Sequence, residues 1–277
     1  MKPNFSVIGA MKCGTTQLYH LLRQHSDLFM CDLKEPGMFA DSLDEQRWDW
    51  YESLFVKGKD KTAIGEASTA YTYNSSFSAP RIAKHLPDAK LIYITRDPLM
   101  RMESHWMQVC RNINQRDVHL RRWYFIRELS KTVSISKLAS IRSISVPTEN
   151  TSGTSDLVLF LKDLVAQQEA TIEKCFEFLG LEPKVQIHNS IEYQNKSVGL
   201  HFPGKLQQYL LRVKPLYRIT KKLPKTLTKP LARRLSRKID ARPTWDPEVR
   251  QWAIDQLADD TQQFLELYGK PPDWWPC

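Results

Sequence analysis

Short apolar runs alternate with segments of helical periodicity along much of the chain. The runs have the length and β-branched content of buried strands, and they lie at 5–9, 62–65, 91–95 and 157–161. The helical segments that follow them begin near 15, span about 78–86, begin near 98, and span about 167–179. This alternation is typical of βαβ units and predicts an α/β fold, with a central parallel sheet flanked by helices.

The first run leads into a glycine-bearing loop, in a segment that reads FSVIGAMKCGTTQL. Gly9, Gly14 and Thr16 fit the frame of the Walker phosphate loop. Thr15 stands where that loop has its lysine, and the lysine lies earlier, at Lys12. A strand, a tight loop and a helix N-terminus together bind anions through converging backbone N–H groups. A strand–helix turn without a ligand is the alternative for this segment taken alone.

A second segment, AKLIYITRDPLMRMESHW, also joins a strand to a helix. Arg96 follows the strand, where its guanidinium can reach the crevice in which open α/β sheets bind ligands. Pro98 suits the first turn of the helix, and Ser104 lies two turns into it, where its hydroxyl could donate to the same anion. A surface pair of Arg96 and Asp97 is the alternative interpretation.

Together the two segments resemble the PAPS-dependent sulfotransferase family, in which PAPS is 3′-phosphoadenosine 5′-phosphosulfate. The residues that resemble the family's 5′-phosphosulfate loop are Lys12, Cys13, Gly14, Thr15 and Thr16. Arg96 and Ser104 resemble its 3′-phosphate segment. The similarity covers roughly 1–110 and resumes at about 157–200 and 241–275. It implies a P-loop-like three-layer fold, and we expect one sulfotransferase domain over 1–277.

The segment KEPGMF is similar to the K-E-P-x-x-F segment of bacterial-type, carbohydrate and heparan sulfotransferases, whose glutamate is the base. That match falls on Glu35, and a carboxylate within hydrogen-bond reach can accept the acceptor's proton. Lys34 would either hold Glu35 ionised or contact the sulfonate. An exposed Lys–Glu pair before a turn proline is the alternative.

A fourth segment, TAIGEASTAYTY, resembles the family's G-E-x-[ST]-x-x-Y pattern. The resemblance implies that Glu66, Ser68 and Tyr71 line the acceptor side of the cleft, together with Lys34. A strand followed by a polar turn would give a similar pattern.

These matches predict an O-sulfotransferase that moves a sulfonate from PAPS to an acceptor hydroxyl and releases PAP. Glu35 would be the general base, and Lys12 would stabilise charge on the leaving phosphate. The acceptor would be a small molecule, a carbohydrate or a carrier-bound hydroxyl. A P-loop nucleotide kinase is the first alternative, although it needs a lysine directly before Thr16. A non-catalytic PAP- or PAPS-binding protein is the second.

Composition narrows the class of protein further. The 277 residues suffice for a full core, and no apolar run approaches the ~20 residues of a membrane span. The start lacks the apolar region of a signal peptide, so we expect a cytoplasmic enzyme or a domain of a larger protein. The five cysteines show no paired ligand spacing, which favours free thiols and no metal site. Cys13 lies near a helix N-terminus, where we expect a lowered thiol pKa.

Two regions depart from this picture. Residues 128–156 are dense in serine and keep neither helical nor strand periodicity, so we expect an anomalous loop there. Residues 205–238 contain many lysines and arginines and no acid, within a basic helical excursion at 204–240. The net charge of +9 suits a protein that handles anions, and this stretch could bind an anionic partner. A solvated helical surface is the alternative, and no recognition motif favours nucleic acid.

Overall fold

The computed structural model describes residues 1–40, 47–73, 75–112, 156–183, 201–203, 236–238 and 245–275. The strands of these residues are β1 (Phe5–Gly9), β2 (Leu28–Met30), β3 (Ala63–Ala67), β4 (Lys90–Thr95), β5 (Asp156–Phe160), β6 (His201–Pro203) and β7 (Ser236–Lys238). The helices are α1 (Thr15–Leu22), α2 (Trp48–Ser53), α3 (Ala70–Tyr73), α4 (Ser75–His85), α5 (Pro98–Asn112), α6 (Leu161–Ala166), α7 (Gln168–Leu179) and α8 (Pro247–Leu267). A 3₁₀ turn spans Val56–Gly58.

Five strands form one parallel sheet in the order β2-β3-β1-β4-β5. In the register, Phe5 of β1 stands between Gly65 of β3 and Lys90 of β4. The central parallel sheet that the sequence predicts is therefore confirmed. Because every pairing is parallel, all five strands end at the same edge of the sheet.

Alternate residues of each strand enter separate cores on the two faces of the sheet. Phe5 and Val7 of β1 belong to a buried cluster with residues of α1, α6 and α7. Ile8 belongs to a second cluster with residues of α2, α3 and α4. The period of two follows from the pleat of the strand. Helices thus cover both faces, which confirms the predicted three-layer α/β fold.

Some boundaries differ from the sequence prediction. The helix expected at about 167–179 is preceded by a separate short helix, α6, because Gln167 leaves the helical conformation with a ψ of 61°. Gly180 caps α7 with a left-handed φ of 80°, as its position predicts. Residues 236–238, expected to be helical, form strand β7. The rest of the predicted helical excursion, 204–235 and 239–240, lies outside the described residues. So does the predicted loop at 128–156, except for Asp156, which is the first residue of β5 and not part of a loop.

The chain divides into two compact units, and the single domain over 1–277 stays a prediction. The first unit comprises Met1–Arg101, Lys131–Gln194 and Gln256–Cys277, and it contains the five-stranded sheet. The second comprises Met102–Ser130 and Asn195–Asp255, and in it β6 pairs with β7 in the antiparallel sense. Within the described ranges, no helix has both the length and the apolar character that crossing a bilayer requires.

Candidate active site

The segments singled out in the sequence follow four neighbouring strands at the carboxyl edge of the sheet. The KEPG turn follows β2, the Ser68–Thr69 step follows β3, the loop of Lys12 follows β1, and Arg96 follows β4. Neighbouring strands lie about 4.8 Å apart, so the ends of β1 and β2 are roughly 10 Å apart. The chain leads from β1 towards one edge strand, β2, and from β4 to the other edge strand, β5. The carboxyl ends of β1 and β4 therefore border the crevice in which open α/β sheets bind ligands.

The loop between β1 and α1 is tightly turned. Lys12 and Gly14 both have left-handed φ angles, 70° and 91°. The Ala10 N–H donates to the Ile94 carbonyl at 2.8 Å, which fixes the start of the loop to β4. A Cβ at Gly14 would lie 2.6 Å from Leu161 Cδ1, so a glycine is needed here for both space and conformation. Helix α1 then begins at Thr15, as predicted.

The thiol of Cys13 in this loop lies within the electrostatic influence of three cations. Burial raises the pKa of Cys13 to about 11, against the opposing charges of Arg101, Arg96 and Lys12. The sequence-based expectation of a lowered pKa is therefore wrong, because the side chain is fully buried and desolvation exceeds the local positive field. Arg101, Arg96 and Lys12 therefore all lie close to the loop between β1 and α1.

The arginines of the second segment contact the backbone of the loop. The Arg96 guanidinium donates to the Lys12 carbonyl at 3.4 Å, and the Arg101 guanidinium to the Met11 carbonyl at 3.5 Å. The Asp97 carboxylate accepts the Met100 N–H at 2.8 Å and so caps the start of α5. Ser104 is buried further along the same helix.

Glu35 is held at its backbone and at its carboxylate. Its φ is 64°, a left-handed value that is uncommon outside glycine, and its N–H donates to the Ala67 carbonyl at 2.9 Å. The carboxylate accepts the Thr69 N–H at 2.7 Å and the Thr69 hydroxyl at 3.1 Å. Lys34 Nζ donates to Glu35 Oε1 at 2.7 Å. The side chain is 38% exposed, so a fixed carboxylate faces solvent at this edge.

Lys34 contacts Glu35 directly, and a role of Lys34 in keeping Glu35 ionised stays a prediction. Its ammonium pairs with the Glu35 carboxylate, with the lysine side chain 24% exposed. A contact of Lys34 with a sulfonate stays a prediction.

Glu66, Ser68 and Tyr71 form a buried hydrogen-bonded cluster beneath the KEPG turn. Glu66 is fully buried; its Oε1 accepts the hydroxyls of Tyr51 at 2.7 Å and Tyr71 at 2.6 Å. Its Oε2 accepts the Ser68 hydroxyl at 2.6 Å. Burial raises the pKa of the Glu66 carboxyl, and the three hydroxyl donors oppose that rise. All three side chains lie below the surface. Their contacts with an acceptor stay a prediction.

Two residues of this arrangement were missed from the sequence. Thr69, which holds the Glu35 carboxylate, lies inside the GEASTAY segment between two residues that were singled out. Its position after the strand was a usable signal. Tyr51, which donates to Glu66, lies in WDWYESLF and carries no motif. Among the residues that the structure describes, no group of three or more His, Cys, Asp or Glu side chains could hold a metal ion.

Comparison with known proteins identifies the family of this chain. The family model described as "Sulfotransferase domain" matches residues 2–199. The chain therefore belongs to the sulfotransferase family, and sulfonate transfer is the activity of that family. The family predicted from the sequence is confirmed, and the assignment of phosphate-binding residues stays a prediction.

Three curated relatives are similar to parts of the chain. Membrane-associated sulfotransferase kil1 of Dictyostelium discoideum is 37% identical over 107 residues, 38% of this chain and 22% of that protein. Carbohydrate sulfotransferase 15 of Rattus norvegicus is 23% identical over 86% of this chain and 53% of its own length. Heparan sulfate glucosamine 3-O-sulfotransferase 6 of Homo sapiens is 32% identical over 38% of this chain and 30% of its own length. The chain thus spans from about a fifth to about half of these relatives.

Two solved structures share the fold. A sulfotransferase from Alicyclobacillus acidocaldarius aligns over 100% of both chains with a TM-score of 0.69 and 17% identity. Mouse sulfotransferase SULT7A1, complexed with PAP, aligns over 96% of this chain and 89% of that chain, with a TM-score of 0.52 and 15% identity. At these identities the likeness shows the fold alone.

Proposed function

We propose that this chain transfers a sulfonate from PAPS to an acceptor hydroxyl and releases PAP. One observation carries the proposal. A carboxylate, Glu35, is fixed by Thr69 and Lys34 at the same sheet edge as the loop on which three cations converge. A base and an anion cradle, two strands apart, are the two elements that sulfuryl transfer needs.

The nucleotide side of the proposal rests on the loop between β1 and α1. Its N–H groups and Lys12 would bind the 5′-phosphosulfate, and Thr15 and Thr16 would hold the 5′-phosphate. Arg96 and Ser104 would bind the 3′-phosphate, which distinguishes PAPS from ATP. The convergent charge at Cys13 and the close approach at Gly14 fit a polyanion. The PAP held by the structurally similar mouse sulfotransferase supports the same ligand class.

The reaction follows from these positions. The acceptor oxygen forms a bond to sulfur while the bond between sulfur and the bridging phosphate oxygen breaks. Glu35 takes the acceptor's proton, and Lys12 stabilises the negative charge that develops on the leaving phosphate. Positioning and charge stabilisation would supply most of the rate enhancement, as in phosphoryl transfer.

A carbohydrate hydroxyl is the acceptor class that we propose. The relatives named for carbohydrate and heparan sulfate substrates support it, although the chain spans only part of each. The K-E-P-x-x-F resemblance points the same way. The kinase alternative loses support because Thr15 stands at the lysine position of the Walker frame.

Calorimetric titration with PAP, 5′-AMP and ATP tests the nucleotide site. We expect PAP to bind more tightly than 5′-AMP and ATP, because only PAP carries the 3′-phosphate. Equal affinity for the three nucleotides, or no binding, would remove PAPS as the substrate. The result also separates the kinase alternative, which requires tight ATP binding.

Transfer of labelled sulfonate from PAPS to a panel of heparan and chondroitin oligosaccharides tests the chemistry. Loss of a general base lowers turnover by about 10²–10⁴-fold, so Glu35→Ala should fall in that range. Lys12→Ala should also lose most turnover. Glu177→Ala, an exposed carboxylate on α7, is the matched control and should retain the full rate. A Glu35→Ala protein with near-normal rate would exclude Glu35 as the base.

A further inference from the structure

We propose that Glu66 is a positioning residue that holds the base Glu35 in place through Ser68. The catalytic consequence rests on the proposed function, whereas the positioning itself can be tested without turnover. Glu66 is fully buried near the end of β3, one strand from the KEPG turn that follows β2. The described contacts connect the two glutamates in three steps.

The first step is the fixation of Ser68 by Glu66. The phenols of Tyr51 and Tyr71 occupy Glu66 Oε1, so Oε2 is left to accept the Ser68 hydroxyl at 2.6 Å. Burial is the larger cause, and the Glu66 charge the next, of a pKa well above the usual range in both phenols. Both phenols therefore keep their protons and donate hydrogen bonds to Glu66. An ionised carboxylate has acceptor capacity for all three hydroxyls.

The second step is the fixation of the turn by Ser68. The Ser68 hydroxyl has one proton, and it is given to Glu66; the oxygen lone pairs then accept the Gly37 N–H at 3.0 Å. Glu35 and Gly37 both have a φ of 64°, a left-handed conformation that is unfavourable for the non-glycine residue Glu35. The bond to Gly37, with the bond from Glu35 N–H to the Ala67 carbonyl, offsets that cost.

The third step reaches the carboxylate and ties the segment to the sheet. Thr69, the next residue after Ser68, donates its N–H to Glu35 Oε2 at 2.7 Å. The Ser68 N–H donates to the Val7 carbonyl of β1, the strand that leads into the anion loop, at 3.0 Å. Residues 66–69 therefore hold the backbone of Glu35, the turn that contains it and its carboxylate. They also tie this turn to β1, the strand that leads into the loop of Lys12.

Carbodiimide labelling of Glu35 with glycine ethyl ester, read by mass spectrometry, tests the positioning. Labelling of the exposed Glu177 is the internal reference. We expect Glu66→Gln and Ser68→Ala to raise Glu35 labelling about fivefold, the factor that one hydrogen bond of ~1 kcal/mol gives. Ser68→Thr, which keeps the hydroxyl, should restore the wild-type rate. Unchanged labelling in Ser68→Ala would overturn the proposal even if Glu66→Gln failed to fold.

The matched control is Thr171→Val. It removes a different buried hydroxyl, which lies in α7 and donates to the Gln167 carbonyl. Its Glu35 labelling should equal that of the wild type. A rise as large as that of Ser68→Ala would mean general loosening and would contradict a specific positioning role.

Kinetics with PAPS and a heparan sulfate hexasaccharide test the catalytic consequence. Ser68→Ala should lower kcat between about fivefold and about 100-fold while leaving the affinity for PAP unchanged. In a Glu35→Ala background, Ser68→Ala should lower kcat no further, because Ser68 acts through Glu35. An equal fall in both backgrounds would overturn the proposal. A Glu35→Ala protein with normal kcat would instead refute the base assignment, and the labelling result would still decide the positioning.

Discussion

Removal of the Arg96 guanidinium should weaken the binding of PAP without weakening that of 5′-AMP. Arg96 follows β4 at the carboxyl edge of the sheet and is partly buried. Its described hydrogen bond, to the Lys12 carbonyl, is long at 3.4 Å. Little is therefore lost within the protein itself when the side chain is truncated. The effect on nucleotide affinity should come almost entirely from the missing contact with the 3′-phosphate.

The expected magnitude follows from the kind of bond. A hydrogen bond to a charged group contributes about 1.5–3 kcal/mol, which corresponds to about 10–150-fold in the dissociation constant. Calorimetric titration of wild type and Arg96→Ala with PAP and with 5′-AMP gives the four affinities of a thermodynamic cycle. The affinity for PAP should fall by this factor, and the affinity for 5′-AMP should change by less than about twofold. The PAP loss should shrink at high salt.

Lys174→Ala is the control for net charge, because it removes one exposed cation on α7, outside the site. It should leave both affinities unchanged. Equal losses for PAP and 5′-AMP in Arg96→Ala would refute the reasoning, since they would place the guanidinium on a group that the two nucleotides share. No loss for either would remove Arg96 from the site.

Three further predictions concern buried positions of the chain. Cys13, fully buried and with a pKa of about 11, should resist alkylation at pH 8 in the folded protein and react once urea unfolds the chain, as mass spectrometry would show. Gly14→Ala should lower stability in urea by about 1–3 kcal/mol more than Gly269→Ala, because both have a left-handed φ but only Gly14 meets a neighbour, Leu161. Trp275→Ala should lower the free energy of unfolding by about 3 kcal/mol, because the Trp275 ring is buried and stacks on Phe264. An unchanged urea midpoint would contradict this packing contribution.

The sequence by itself determined the layers of this protein and which segments follow the strands at the carboxyl edge of the sheet. The strands are predictable because a strand that is buried on both faces of a sheet reads as a short apolar run, which is visible in the chain without knowledge of contacts. The anion loop is equally local. Its glycines, Lys12 and the helix start lie within a few residues, and the left-handed conformation at Gly14 is one that glycine adopts without strain.

Only the tertiary structure decided what surrounds each ionisable group. The Tyr51 phenol reaches Glu66 across 15 positions, and Thr69 reaches Glu35 across 34, distances at which no periodic pattern predicts a partner. The thiol pKa of Cys13 was expected to fall near the helix N-terminus, yet full burial raises it. Desolvation depends on how completely other segments cover a group, and that cover is fixed by packing rather than by neighbours along the chain.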